Sequence, residues 1–422
     1  MTDNKISSLG IAVWLVCAIF FTYEFLLRTV LGTFQHPIMY DLSLTPFAFA
    51  ILSTTAYMVV YGAMQVPVGI ITDRFGLKKS LTFAALLCAV SSIAFAMTYQ
   101  FKSAVFARML MGLGSSFGFI CMLVSVYDWM PKKHYGLFIG LSQFIGTMGP
   151  MVAAGPLNNI AVNGNVDWRS IFLGLGFFGF LITIFIIVIV KNSHESLGGF
   201  RILTRPTSIR LNIVSILKQK QAWAIALYSA LIYFTLEYLS ENEGKIFLEI
   251  NGYSAKFSSY MITVGWLGYA IGCPLLGFLS DYFRRRKIFM IIAALNCLAA
   301  IITIVYFPTS RTTLTGAFFL LGIGAAGQSV GFAIMAEQCS KFYLAAGLGF
   351  NNCIIAFLAS VNAPVIGWLL DNHSHTDTLI KEDYVYAFSF LVILISVGLF
   401  ASIFLVKETY CRPTKDFTLI KN

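Results

Sequence analysis

Charge is what this chain has least of. Of its 422 residues only 11% are Asp, Glu, Lys or Arg, against 58% hydrophobic ones. So little charge cannot cover a water-soluble core of that size, and a soluble globular class is excluded. No polar stretch is long enough for a soluble catalytic domain, and no nucleophile motif appears, so an enzyme is not expected. The 8 cysteines stand singly, most of them inside apolar runs (Cys17, Cys88, Cys121, Cys273, Cys297, Cys353), with no C-x-x-C pair. That excludes a disulfide framework or a thiolate metal centre and leaves small core residues. His373-x-His375 sits in a loop with no further ligand beside it, so no metal is expected. The first apolar run is too long for the core of a signal peptide and predicts a retained span.

What the chain has instead is apolar runs of bilayer length. About 20 residues at about 1.5 Å rise cross the hydrocarbon, and hydropathy predicts about twelve such spans, beginning near Leu9, Pro46, Ser80, Ala104, Tyr135, Ser170, Ala222, Ser254, Ile288, Thr312, Ala345 and Tyr384. A polar, basic gap (Lys191, Arg201, Arg205, Arg210, Lys218, Lys220) separates the first six from the last six. The expected division is a six-helix bundle over 1–190, a linker over 191–221 and a second bundle with its tail over 222–422. With the N-terminus placed inside, 21 of the 29 basic residues fall in cytoplasmic segments. The positive-inside rule then puts both termini in the cytoplasm and accounts for the net charge of +10 without nucleic acid as a partner.

The halves echo each other. Phe21-Thr22-Tyr23-Glu24-Phe25-Leu26 matches Phe234-Thr235-Leu236-Glu237-Tyr238-Leu239, with Glu241 where the first copy has Arg28. Gly69-Ile70-Ile71-Thr72-Asp73-Arg74 matches Gly277-Phe278-Leu279-Ser280-Asp281-Tyr282, and Gly112-Leu113-Gly114 matches Gly322-Ile323-Gly324. Three matches in one order, 208 to 213 residues apart, imply parallel duplication.

Ionised side chains inside a span cost at least about 2.5–3.5 kcal/mol each on insertion scales, so they are expected to face protein or water. Glu24 and Arg28 lie one turn apart on one helix face, where they can partly neutralise each other. Glu237 has no base within four residues of its own helix, which suits a proton carrier. Glu241 and Glu243, near the end of the seventh span, are candidates for mere solvation, Glu243 above all. A cation in one half and carboxylates in the other fit a zwitterion, with its carboxylate on Arg28 and its ammonium on Glu237 or Glu241. Phosphate esters would call for bases on both sides. The uncharged candidates are Tyr57, Tyr61 and Gln65 at spacing four in the second span, with Gln143, Gln328, Asn351 and Asn352. Each of these polar residues also admits a plain helix-bonding role.

Gly69-x-x-x-Asp73-Arg74-Phe75-Gly76-x-Lys78-Lys79 resembles the cytoplasmic loop signature of the major facilitator superfamily, and Gly277-x-x-x-Asp281 with Arg284 to Lys287 resembles its degenerate second copy, Arg284 replacing Gly76. Arg108-x-x-x-Gly112-x-Gly114 resembles the span-4 motif, Asp167-Trp168-Arg169 also fits, and Gly146-x-x-Gly149-Pro150 partly matches the span-5 motif associated with antiporters. The resemblance covers essentially the whole chain. It implies an all-α membrane protein of twelve transmembrane helices in two pseudo-symmetric bundles, which rock about a midplane site by alternating access, helped by kinks at Pro150 and Pro364. In the loop signature, Gly69 would let two helices approach closely. Asp73 would accept from a helix N-terminus, and Arg74 would make charged contacts across the cytoplasmic face; with Gly76, Gly277 and Asp281 these are the expected gating residues. Arg108 would stand near Glu24 and tune it, making Glu24, Arg108 and Glu237 the expected proton-coupling set; a helix-to-helix hydrogen bond is the other reading of Arg108. The glycine pairs Gly112-x-Gly114 and Gly322-x-Gly324 are expected to serve close packing. The stretch TYEFLLRTVLGTFQHPIMYDL resembles the phagosomal-transporter type by which intracellular bacteria import amino acids or nucleosides.

The expected function is proton-coupled uptake of an amino acid by a monomer in a bacterial inner membrane, with no cofactor beyond the proton gradient. Nucleoside or organic-anion transport and efflux are alternatives, and a facilitator-like solute sensor is the reading from another class.

Overall fold

Hydrocarbon offers the backbone no hydrogen-bond partner, so a segment that crosses it must satisfy its own N–H and C=O groups as a helix. The computed structural model describes residues 7–131, 135–164, 166–192, 216–308, 310–339, 344–373 and 379–412, and among them the ordered elements are helices. Twelve are long and apolar enough to cross a membrane. In the first half these are α1 (Ser8–Thr33), α2, α3 (Leu77–Ala96), α4 (Phe101–Trp129), α5 (Tyr135–Gly164) and α6 (Trp168–Ile189). Helix α2 is continuous from Pro46–Ala50 through a π-helical turn, Ile51–Thr55, into Ala56–Phe75. The second half holds α7 (Lys220–Glu241), α8 (Ala255–Tyr282), α9 (Arg286–Tyr306), α10 (Arg311–Gln338), α11 (Leu344–His373) and α12 (Lys381–Leu405). The linker expected over 191–221 lies largely outside the described residues.

The starts are written locally. Ser7, Asp167, Ser254 and Ser310 each accept a hydrogen bond from the backbone N–H three residues on, and Thr45 does the same just before Pro46. Glycine then decides how closely helices pass. A Cβ on Gly112 would run into the Tyr57 carbonyl and one on Gly322 into the Gly265 carbonyl; on Gly114 and Gly324 it would meet α3 and α9. The two glycine pairs are therefore packing sites, duplicated with the fold. The span-5 motif packs α5 on α1 in the same way, since a Cβ at Gly146 meets the Phe21 ring and one at Gly149 the Thr22 carbonyl.

Helix α7 is the most buried span, while α6 and α12 turn much of their surface outward, as lipid-facing helices do. The halves meet through α1 with α7, α2 with α11 and α5 with α8. Cross-half bonds begin at the end away from the linker, where the Phe47 N–H donates to Asp371 at 3.2 Å. They continue through Thr55 to the Ser360 carbonyl at 2.7 Å and the Gly155 N–H to Thr263 at 2.9 Å, and reach Asn352 to Gln65 at 2.9 Å. Toward the linker end Gly69 and Gly277 face open space, with nothing within 4 Å of a Cβ built there. Among the described residues the far end is bonded across the halves while Gly69 and Gly277 stand open, so the close helix approach expected at Gly69 is not made in this conformation.

Candidate functional site

The site grows from one crossing. A Cβ on Gly32 would collide with the backbone of Ser240 and Glu241, so the backbones of α1 and α7 touch near the far end. One turn back, Arg28 is only 8% exposed and reaches into the other half. Its Nη2 forms an ion pair with Glu237, and its Nε donates to Glu241 at 2.9 Å. The rings of Phe25 and Tyr233 lie 5.2 and 5.7 Å from the guanidinium carbon. Two sequence expectations are corrected here. Arg28 does not pair with Glu24 on its own helix, and Glu237 is not without a base, because its partner stands 209 residues away in sequence. Glu24 instead accepts from the Tyr57 hydroxyl at 3.2 Å.

Arg108 is fully buried, and its partners are carbonyls. It donates to Leu27 at 2.9 Å and Arg28 at 3.3 Å in α1, and to Leu52 at 3.4 Å and Ser53 at 2.7 Å in α2. Those last two belong to the π-helical turn, where the wider winding displaces carbonyls from the usual ladder; such turns recur at functional sites. The same turn sends Ser53 to Asn242 at 2.6 Å and Thr54 to Glu241 at 3.2 Å. Arg108 thus binds helix to helix, and its link to Glu24 is indirect: its guanidinium lies 4.7 Å from the Tyr57 ring, whose hydroxyl holds Glu24.

Beside this cluster lies a cavity of ≈ 100 Å³. Glu24, Arg28, Tyr61, Gln143, Gln328 and Asn352 supply its polar wall. Glu237 and Glu241 stand behind Arg28 rather than on the wall, and Tyr57 stands behind Glu24. Asn351 is buried off the wall, and its neighbour Asn352, about 100° round the helix, takes the place expected for it. Gln328 accepts from Tyr269 at 2.8 Å, and Asn352 donates to Gln65. Sequence reasoning misses Tyr233, Tyr269, Phe119 and Phe332 on the wall, and Ser53, Thr54 and Asn242 behind it. The Ser-Thr-Thr run at 53–55, polar inside an apolar span, is the signal for part of that set. Ligand pockets are about 300–1,000 Å³, so the walls of this cavity must move to admit a solute.

The chain as a whole matches the family model described as Major Facilitator Superfamily over residues 13–247 and 243–416. It belongs to the major facilitator superfamily. Among relatives, a protein described as a probable L-galactonate transporter of Escherichia coli (strain K12) is 25% identical over 86% of this chain and 82% of its own length. Among solved structures, the nucleoside transporter NupG superposes with TM-score 0.74 at 12% identity over 95% of this chain and 100% of that one. A bacterial homologue of the human lysosomal transporter Spinster, inward-facing and occupied, gives 0.72 at 15% identity, over 93% and 95%. The protein is a secondary transporter of the facilitator type and an integral membrane protein, not an enzyme.

The far end of this facilitator carries a further buried acid. Glu243, expected to be solvated, is 2% exposed. It accepts from Tyr384 at 2.9 Å and, across the halves, from Gln35. Burial pushes its carboxyl up to about 7, with nearby Asp371 adding to the rise and the bonds from Tyr384 and Gln35 opposing it. Opening the far end would rehydrate the group and return it toward its ordinary value of 4.5. The closed form therefore holds the proton more tightly, and acid favours closure. That help is lost as pH rises from about 4.5 through about 7, and is absent above. A fluorescent pair at exposed Tyr40 and Ile380 should report a growing separation over that range, and Glu243→Gln should flatten it. A variant with the wild-type pH response would rule out Glu243 as the group responsible.

Among the described residues, the contacts of the facilitator's loop signatures stay within their own halves. Gly76 closes α2 at φ +84° and ψ 160°, a region essentially restricted to glycine, whereas Arg284 at the matching position has φ +52°. Arg74 is exposed and lies over its neighbour Phe75 rather than reaching across. Asp281 pairs with Arg286 at 2.6 Å, and Arg286 also holds Glu337 of α10 at 2.9 Å. Asn192, after α6, accepts from the Lys78 N–H at the start of α3, and Glu408, after α12, accepts from the Arg286 and Lys287 N–H groups at the start of α9. The Asp73 side chain and His375 lie outside the described residues; His373 bonds Asp383 at 2.9 Å.

Proposed function

We propose that this facilitator imports a small zwitterionic solute of the amino-acid type, driven by protons. One observation carries the reading: Glu24 and Arg28, opposite charges one helical turn apart, face the same cavity. Arg28 takes the solute carboxylate and Glu24 its ammonium. The guanidinium has five N–H donors, more than Glu237 and Glu241 use. Glu237 is the proton carrier: once neutral, it releases its hold on Arg28, which then exchanges a protein carboxylate for that of the solute. Reorientation follows because the Arg28 contacts are among the bonds that hold the halves together.

Charge balance supports a zwitterion over a simple anion. With Glu237 protonated, Glu24 and Glu241 balance Arg28 and Arg108, whose charge its carbonyl partners do not cancel. A zwitterion keeps that balance, whereas an anion leaves a net negative charge in the cluster. The count of basic loop residues supports cytoplasmic termini, the bacterial relatives support an inner membrane, and the likeness of the first span to the phagosomal type supports import. The monomer is the expected unit.

A sugar acid is the second reading, favoured by the L-galactonate relative; its carboxylate would use Arg28 and leave Glu24 without a counterpart. Uptake into proteoliposomes of amino acids, L-galactonate and nucleosides, with and without an inward proton gradient, separates the readings. Glu237→Gln should keep exchange of solute for solute and lose gradient-driven accumulation. Accumulation at the wild-type level in that variant would remove Glu237 as the carrier.

A further inference from the structure

Rings make up nearly half of the wall beyond the Glu24–Arg28 pair. Phe119 of α4 and Phe332 of α10 face each other across the halves with ring centroids 6.5 Å apart, and Phe21 of α1 stands 5.9 Å from Phe119. Met58 and Ile355 continue the apolar lining. The amides that share this wall, Gln143, Gln328 and Asn352, are partly occupied. Gln328 Oε1 is taken by the Tyr269 hydroxyl at 2.8 Å, and Asn352 Nδ2 by Gln65 at 2.9 Å. The Ser329 hydroxyl is turned to the Ala326 carbonyl at 2.8 Å. Between the rings of Phe21, Phe119 and Phe332 a polyhydroxylated solute leaves unpaired hydroxyls, and each unpaired buried polar group weakens binding. An apolar or aromatic side chain loses nothing there and gains the area it buries.

Building on the amino-acid reading above, we propose that the cleft between Phe119 and Phe332 is the side-chain pocket of the site, and that it selects amino acids with large apolar or aromatic side chains over small, polar or charged ones. The charged end of the solute is anchored at Arg28 and Glu24, so the remainder must lie against the rings. At ≈ 100 Å³ the cavity does not hold such a side chain with the rings in contact. Phe119 and Phe332 are only partly buried, and each can turn aside on its own χ1 without unlocking the closed far end. The two rings are thus specificity-determining residues and the movable wall of the pocket.

The test is uptake by the full-length protein in proteoliposomes of L-leucine, L-phenylalanine, L-serine, L-glutamate and L-galactonate at equal concentration. Leucine and phenylalanine should enter at least about tenfold faster than serine, in line with what a few buried carbons are worth in discrimination. Phe119→Ala and Phe332→Ala should each shrink the leucine-to-serine ratio several-fold, whereas Phe332→Leu should retain it. The ratio is read within one preparation, so a smaller folded fraction does not change it. Serine entering as fast as leucine would overturn the side-chain pocket while leaving the amino-acid reading intact. A ratio unchanged in both alanine variants would overturn the assignment to these rings. L-galactonate entering while no amino acid does would overturn the amino-acid reading itself.

Discussion

Arg28→Ala should lower solute uptake by roughly 30-fold or more, since truncating one partner of a buried hydrogen-bonded charge pair costs about 2–5 kcal/mol. The expected loss has two sources. The solute carboxylate loses its guanidinium, and Glu237 and Glu241, buried one turn apart on α7, lose the cation that holds them together. The second source destabilises the protein as well as silencing it, because two uncompensated carboxylates then share one buried site. A triple variant, Arg28→Ala with Glu237→Gln and Glu241→Gln, separates the two. It should recover the thermal stability lost in the single variant and still fail to transport. Arg28→Lys should be intermediate at best, because a single ammonium cannot fork to both carboxylates as the guanidinium does. Uptake restored in the triple variant would show that Arg28 serves only to neutralise its neighbours, and the zwitterion site would go with it.

The largest effect on stability is expected at Arg108. Its removal takes a donor from the carbonyls of Leu27 and Arg28, which keep their places in the regular helix α1, and from those of Leu52 and Ser53 in the π-helical turn. Leaving buried acceptors such as the last two short of a donor costs about 1–3 kcal/mol each, which in a thermal-shift assay corresponds to a melting temperature lower by roughly 10 °C. Arg108→Lys should recover part of this, since one ammonium reaches fewer carbonyls. If Arg108→Ala melted like the wild type and lost only proton coupling, the residue would be acting on Glu24 through Tyr57, and its role as a staple between α1 and α2 would be refuted.

Much of the site was visible before any fold. Glu24, Arg28, Glu237 and Glu241 stand out because an ionised group inside a span is too costly to be idle. The duplication placed them on matching helices, α1 and α7. What the pattern could not say is which charge meets which. On an isolated helix the neighbour at four residues is the natural partner, and that logic pairs Arg28 with Glu24. The bare backbone at Gly32 lets α7 come close enough for Glu237 and Glu241 to take Arg28 instead. The same limit explains Asn351 and Asn352. Adjacent positions on a helix point about 100° apart, and only the packing of α11 against α2 decides which of them faces the cavity. Glu243 looked solvated because it ends an apolar run; the short helices Gln35–Leu42 and Gly244–Ile250 cover it, and nothing in its own segment announces them.

By itself, then, the order of residues determined that the chain must live in a bilayer, how many times it crosses, that its halves are copies, and which costly side chains deserved a role. These follow from solvation and periodicity, which act locally along the chain. The tertiary structure alone decided the partners of those side chains, the turn of α2 that feeds Arg108, and the aromatic walls of the cavity. Those depend on where separate helices cross, and a crossing is set by the shapes of two surfaces far apart in sequence.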